Sequence, residues 1–263
     1  MKLLALAALH LDRYFARRRD PFQDIPEEHL RGVTHCILAG DLSNKGYTQW
    51  KRCLPWIAER LPGAHIFVMP GNHDYYDGSI DREDKLRDVA AAHGATFVQK
   101  SELIIGRHRL LCCTLWTDFE IYGERPDNLR NTVTQMNDYL YIRVARTGFK
   151  KLTPLQTAQI HLDHRQWLAR RLSEPFDGET TVITHHAPHI KALKDMSDIG
   201  PCYASNLEPL ILKHQPDRWL FGHTHHPVSF NIGQTRLTNV SVGYPDELDP
   251  IQNLERFIFD LEE

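Results

Sequence analysis

The 263-residue chain carries 31 Lys and Arg against 34 Asp and Glu, a formal charge of −3, which argues against a protein built mainly to coat a polyanion. Five cysteines, an odd number without a C-x-x-C pair, indicate neither a disulfide frame nor a thiolate metal site and fit a reducing cytoplasm. No stretch approaches the ~20 apolar residues of a membrane-spanning helix, and one domain over residues 1–263 with one large core is the expected organisation.

The opening "MKLLALAAL" is short for a signal-peptide core and is followed at once by "HLDRYFARRRD", so it reads as a buried strand. The dense basic run Arg13, Arg17, Arg18 and Arg19 reads as a solvated loop edge. The runs "HCILAGD", "HIFVMPGNHD", "TTVITHHAP" and "DRWLFGHTHH" are apolar and end in small or polar residues, as buried strands do when each delivers a loop at its C-terminal end. Between them, "YTQWKRCLPWIAERL" predicts a helix with Trp50, Leu54, Ile57 and Leu61 on one face and a kink or interruption at Pro55. In "IDREDKLRDVAAAHG" Asp81 is the expected N-cap and Gly94 the stop. In "TPLQTAQIHLDHRQWLARRL" Thr153 caps, Pro154 takes the first turn, and Leu155, Leu162, Leu168 and Leu172 are the apolar positions. "SELIIGRHRLLCCTLW" and "PVSFNIGQTRLTNVSV" read as hairpins turning at Gly106 and Gly233. Parallel-type units combined with hairpins predict an α/β protein of two packed sheets rather than one open doubly wound sheet. From about Asp118 to Lys151 the periodicity fades into a polar, aromatic-dotted stretch, expected to be a lid or specificity insertion in the single domain.

Four strand-end loops carry metal-ligating side chains: Gly40-Asp41, Gly71-Asn72-His73-Asp74, His185-His186 and Gly222-His223-Thr224-His225. Imidazoles with carboxylate and amide oxygens, and no thiolate, suit borderline divalent ions such as manganese, iron or zinc. A glycine ahead of such a cluster lets the backbone turn sharply so that ligands converge beyond the sheet edge. The histidines His35, His65, His93, His108, His161, His164 and His214 read as satisfied core or surface residues.

In this order the motifs G-D, G-N-H-D, H and G-H-x-H resemble those of the calcineurin-like metallophosphoesterases, and the similarity spans essentially the whole chain. The resemblance implies a four-layer αββα sandwich of two packed mixed sheets, a metal-dependent phosphoesterase activity and a site for two divalent ions. Asp41 would bridge both ions, His10 and His225 would serve the first, and Asn72, His185 and His223 the second, with His185 preferred to His186 because it comes first after the strand. His73 would bind no metal but sit over the scissile phosphate, stabilising charge or protonating the leaving oxygen, with Asp74 as its orienting carboxylate. Two such ions polarise the phosphoryl group and activate water, so no nucleophilic side chain is required.

The family's first motif, D-x-H, is altered here. Aligning "ALHLD" with it puts Ala8 where a carboxylate ligand of the first ion belongs, so the first position is expected to be impaired and turnover weakened. Asp12 lies two residues beyond His10 and is not expected to substitute. The change is either a natural loss or a deliberate Asp→Ala replacement, and a motif set otherwise intact agrees better with the second. The expected substrate is a small phosphodiester or phosphomonoester such as a nucleotide, with Tyr139, Arg143 and Arg146 of the insertion as contacts that stack on a base or grip phosphate. A DNA or RNA nuclease of the same fold is the alternative, set back by the acidic net charge. A non-catalytic scaffold is the other, set back by the retention of His73.

Overall fold

Every residue of the run His108–Cys113 is buried, because its strand has packing partners on both faces: Leu110 and Cys112 join one apolar cluster, Leu111 and Cys113 another. The structure, a computed structural model, describes residues 1–23, 25, 27–123, 125–197, 199–247 and 257–261, without the side chains of residues 125–128 and 131. The first half runs β1 (Lys2–Leu6), α1 (Leu11–Ala16), α2 (Glu27–Leu30), β2 (Val33–Ala39), α3 (Gly46–Arg60), β3 (His65–Met69), α4 (Glu83–Ala92), β4 (Ala95–Phe97), β5 (Ser101–Ile105) and β6 (His108–Cys113). The segment read above as an insertion follows as α5 (Arg125–Gln135), α6 (Asp138–Tyr141), β7 (Arg143–Val144) and β8 (Lys150–Lys151). The remainder is α7 (Pro154–Ser173), β9 (Glu179–Thr184), α8 (Glu208–His214), β10 (Arg218–Phe221), β11 (Ser229–Ile232), β12 (Thr235–Asn239) and β13 (Ile258–Asp260).

Among the described residues the strands form a five-stranded sheet in the order β13-β1-β2-β3-β4, a six-stranded sheet in the order β11-β12-β10-β9-β6-β5, and a two-stranded ribbon of β7 and β8. Both large sheets are mixed. In the first, β1 to β4 are parallel and β13 is antiparallel at the edge. In the second, β6, β9, β10 and β12 are parallel, and β5 and β11 are the antiparallel partners in the hairpins predicted at Gly106 and Gly233. One apolar cluster joins residues of both sheets, including Ile37, Val68, Leu110 and Ile183, and takes in Trp50, Leu54 and Ile57 of α3. The other lies under α7 and α8, where Leu168 and Ile211 pack with Val182, Trp219 and Phe221. The result is the αββα arrangement of two packed mixed sheets.

The two sheets are stitched at one end. Ala7 N–H donates to Val240 O and Val242 N–H to Ala7 O, both at 2.9 Å, and within the second sheet Gly222 N–H donates to His185 O at 2.9 Å. The loops after β1, β2, β3, β9 and β10 therefore open at a common edge, where the C-terminal ends of parallel strands collect polar side chains.

Three local expectations are corrected. α3 continues unbroken through Pro55, which lies on the half-exposed flank of the helix, where a carbonyl released by proline can be hydrated. Asp81 does not cap α4, because its carboxylate accepts from Ala145 N–H and Arg146 N–H at 2.8 and 2.9 Å and so anchors the insertion. α7 buries Thr157, Ala158, His161, His164 and Leu168 and leaves Leu155 and Leu162 at 64% and 42% exposure. Its inner face is thus half polar, satisfied by main-chain partners: His161 Nδ1 lies 3.2 Å from Trp116 O, and Leu115 N–H donates to His164 Nδ1 at 3.1 Å.

Burial, opposed only in part by Asp163, moves the His164 pKa from 6.5 down to about 3. The unfolded chain therefore takes up a proton that the folded chain refuses, so this contribution to stability is whole above about pH 6.5 and falls as the pH drops towards 3. Between pH 6.5 and 5 the group should remove about 2 kcal/mol. His164→Asn, whose side-chain oxygen can accept the same N–H, should show a shallower decline in urea melts at those two pH values, and parallel declines would refute the assignment. No helix among the described residues is long and apolar enough to cross a membrane.

Candidate metal centre

The ligand loops leave their strands through left-handed backbone: Gly40 and Asp41 have φ of 87° and 54°, His223 and His225 of 66° and 48°, and Ala8 and His10 of 48° and 44°. Such conformations cost non-glycine residues free energy and persist where the surrounding packing enforces them. Packing here is tight enough to require glycine at position 71, where a Cβ would lie 2.2 Å from Asp41 Oδ1 and 2.7 Å from His185 Nε2.

Asp41 is the centre of the cluster. Its Oδ2 lies 3.2 Å from His185 Nε2, 3.9 Å from His10 Nε2 and 4.0 Å from His73 Nε2. Donor atoms of Asp41, His185 and His223 lie within 4.8 Å of one another, and so do those of His10, Asp41 and His73. His225 joins on the His10 side, the two Nε2 atoms 3.2 Å apart. His10, Asp41, Asn72, His185 and His223 are all at most 5% exposed.

The hydrogen bonds around these groups fix which atoms face inward. His185 Nδ1 lies 3.1 Å from Ala39 O, an acceptor, so that nitrogen carries the hydrogen. Asn72 Nδ2 donates to Asp138 Oδ1 at 2.8 Å, which turns its Oδ1 to within 3.1 Å of His185 Nε2. A neutral His185 thus presents a lone pair to a carboxylate oxygen and an amide oxygen. Three such acceptors at these distances need either a second proton on His185 or a cation between them. Among the described residues buried His223 Nε2 and His10 Nδ1 have no hydrogen-bond partner. The donor set fits divalent cations.

The titration behaviour agrees. Burial would raise the Asp41 pKa, but His185, His73 and His10 outweigh it and hold the carboxyl well below the usual range. Burial disfavours protonated His185, yet the charge and hydrogen bond of Asp41 move its pKa up. Burial, with neighbouring imidazoles, holds His10 and His223 well down and so keeps them neutral, as ligation requires.

His73 sits at the rim, half-buried, with its N–H donating to Asp41 Oδ1 at 2.9 Å. Asp74 is not its orienting carboxylate, a correction to the sequence reading. Asp74 accepts from Asp41 N–H, Gly71 N–H and Ser43 N–H at 2.7, 2.9 and 3.2 Å and from Trp50 Nε1 at 2.8 Å, so it fastens the two ligand loops to each other. Burial and then the charge of Asp41 push its pKa up to about 7 against those hydrogen bonds. The group beside His73 Nδ1 is Asn44 Oδ1, at 2.7 Å.

Other contacts went unread in the sequence. Asp138 of α6 also accepts from Tyr76 OH at 2.7 Å, and Tyr76 packs on His73 with ring centroids 4.5 Å apart. Glu247 Oε2 lies 2.7 Å from His225 Nδ1, and Tyr244 stacks on His10 at 4.3 Å. Asn44, three residues after Asp41, and Tyr76, two after Asp74, stood close enough to a motif to be found from sequence. His186 lies behind the ligands, 3.2 Å from Thr114 O and stacked on Trp116. Of the insertion residues, Tyr139 is 4% exposed with its hydroxyl 3.0 Å from Thr157 Oγ1, packed inside rather than presented to solvent. Arg143 and Arg146 line two separate clefts, of about 440 and 310 Å³.

The sequence profile of the calcineurin-like phosphoesterases matches residues 1–227. The chain belongs to this family. Phosphoester hydrolysis is the chemistry of calcineurin-like phosphoesterases, and the match ends before Tyr244 and Glu247, which nonetheless touch the site. Among proteins similar to this calcineurin-like phosphoesterase is the uncharacterized protein L509 of Acanthamoeba polyphaga mimivirus, 23% identical over 82% of this chain and 80% of that one. Among solved structures, the phosphopantetheinyl hydrolase PptH of Mycobacterium tuberculosis superposes with a TM-score of 0.69 at 15% identity, covering 93% of this chain and 90% of that one. TT1561 of Thermus thermophilus gives a TM-score of 0.50 at 14% identity over 92% and 88%. At such identities the structural likeness establishes the shared fold.

Proposed function

We propose that the protein is a dinuclear metal-dependent phosphoesterase acting on small phosphodiesters or phosphomonoesters, slowed in this chain by Ala8. The observation that carries the reading is the set of acceptors converging on Asp41 with the imidazole of His73 at its rim. Asp41, His10 and His225 would hold one ion and Asp41, Asn72, His185 and His223 the other, with manganese, iron or zinc suited to these donors. Ions bound there would supply Lewis-acid polarisation of the phosphoryl group and a more acidic water, which leaves no task for a nucleophilic side chain. His73, whose Nε2 is turned towards Asp41, would stabilise negative charge or protonate the leaving oxygen.

The burial and main-chain conformation of Ala8 support the reading of a lost carboxylate. The residue is buried with φ of 48°, a region in which Asp and Asn are several-fold enriched over other non-glycine residues. For substrate contact, the cleft of about 440 Å³ is lined by Tyr47, Lys85, Arg143 and Phe149, and the last is 64% exposed. The half-buried Arg143 guanidinium has no ion-pair partner among the described residues. The ring of Tyr76 lies between those of His73 and Tyr141, with centroids 4.5 and 5.6 Å away. A second anionic group or a planar ring of the substrate would be complementary to the cleft.

The Ala8→Asp protein with manganese should therefore hydrolyse small esters in preference to oligonucleotides when assayed on phosphomonoesters, cyclic nucleotides, a phosphopantetheinyl ester and short DNA and RNA. Arg143→Gln should raise KM for the preferred ester more than for a generic aryl phosphate. A preference for oligonucleotides would make the protein a nuclease, and no turnover of any ester would favour a scaffold. Equal changes in KM for both esters would return Arg143 to ordinary surface.

A further inference from the structure

We infer that Asp12 is a positioning residue for His73, acting by deciding which end of the Asn44 amide faces the imidazole. Asp12 Oδ2 accepts from Asn44 Nδ2 at 2.8 Å and Asp12 Oδ1 accepts from Asn44 N–H at 3.2 Å. With both Asp12 oxygens accepting from Asn44, the NH2 end of the amide faces Asp12 and its oxygen faces His73 Nδ1, 2.7 Å away. An oxygen there requires hydrogen on Nδ1. In neutral His73 the lone pair is then on Nε2, the nitrogen turned towards Asp41, and in the protonated ring both N–H groups have a place to point. A reversed amide would set its own hydrogens against Nδ1, demand a lone pair there and exclude the doubly protonated ring. Asp12, at the start of α1 two residues after His10, thus ties the first ligand loop to the orientation of His73.

This inference rests on the proposed role of His73 for its effect on turnover, but the amide orientation is testable without it. Asp12→Asn keeps the shape and supplies an NH2 group that a reversed Asn44 amide can satisfy, so it should release the lock. Adding Asn44→Asp exchanges amide and carboxylate between the two positions and restores an obligatory acceptor beside Nδ1. The measurement is 15N NMR of histidine-labelled, metal-free protein at a pH above the imidazole range, which separates the Nδ1–H from the Nε2–H tautomer. The chain without further substitution should show His73 as Nδ1–H, Asp12→Asn should lose that preference, and the exchanged pair should regain it. In the Ala8→Asp background kcat should fall about 10–100-fold in Asp12→Asn and recover in the exchange. An Nδ1–H tautomer unchanged by Asp12→Asn, or one that the exchange does not bring back, would overturn the inference. A tautomer that follows both substitutions while kcat stays level would leave the amide lock standing and overturn the role given to His73.

Discussion

Ala8→Asp is expected to raise metal content towards two ions per chain and to increase turnover by at least one to two orders of magnitude. The main chain at position 8 is already fixed, its N–H donating to Gly40 O and its carbonyl accepting from Gly243 N–H, both at 2.9 Å. A carboxylate added there enters a prepared position in backbone that Asp tolerates better than Ala. On the proposed assignment the first position would rest without it on His10, His225 and an Asp41 carboxylate shared with the second, whose own set of Asp41, Asn72, His185 and His223 would be whole. Changes outside the ligand set can cost 10–100-fold in metal affinity, so a missing ligand should cost at least as much. Metal analysis after dialysis against manganese, with kcat on the preferred ester, compares the two proteins. Two ions per chain and ordinary turnover in the Ala8 protein would refute this account. Asp12 is then a poor candidate for the missing ligand, since both of its oxygens are held by Asn44.

His73→Asn in the Ala8→Asp background should lower kcat by about 10²–10⁴-fold and leave metal content nearly unchanged. The site contains an argument against this assignment as well as for it. His73 Nε2 is as close to Asp41 Oδ2 as His10 Nε2 is, 4.0 against 3.9 Å, and its donor atom falls in one cluster with theirs. Exposure sets it apart from His10, 17% against 1% for the side chain, but not from His225 at 15%, and its Nδ1 is directed by an oxygen as those of His185 and His225 are, so metal content is the measurement that separates the two roles. An imidazole open to the cleft and oriented through its other nitrogen suits proton transfer or charge stabilisation at a bound ester. Metal lost together with activity would make His73 a ligand and end this reading.

The residue types that could hold a metal, and their places at strand ends, were legible because both are local. Few side chains can hold a divalent cation, and a tight turn after a buried strand calls for glycine, as at Gly40 with φ of 87°. The hairpins at Gly106 and Gly233 were legible for the same reason. Tertiary structure decided which polar groups meet. Asp74 adjoins His73 in sequence yet bonds to Asp41, Ser43 and Trp50. Asp138 reaches Asn72 across 66 positions, and Glu247 reaches His225 across 22. The buried side of α7 was misread because His161 and His164 find main-chain partners in the loop after β6, which makes polar side chains cheaper to bury than its leucines suggest. A carboxylate or imidazole carries no local signal of the N–H it will meet, since that partner exists only once distant segments have packed. Sequence alone therefore determined which side-chain types stand at the strand ends, while the contacts of Asn72 with Asp138 and of His225 with Glu247 were decided by the packing of distant segments.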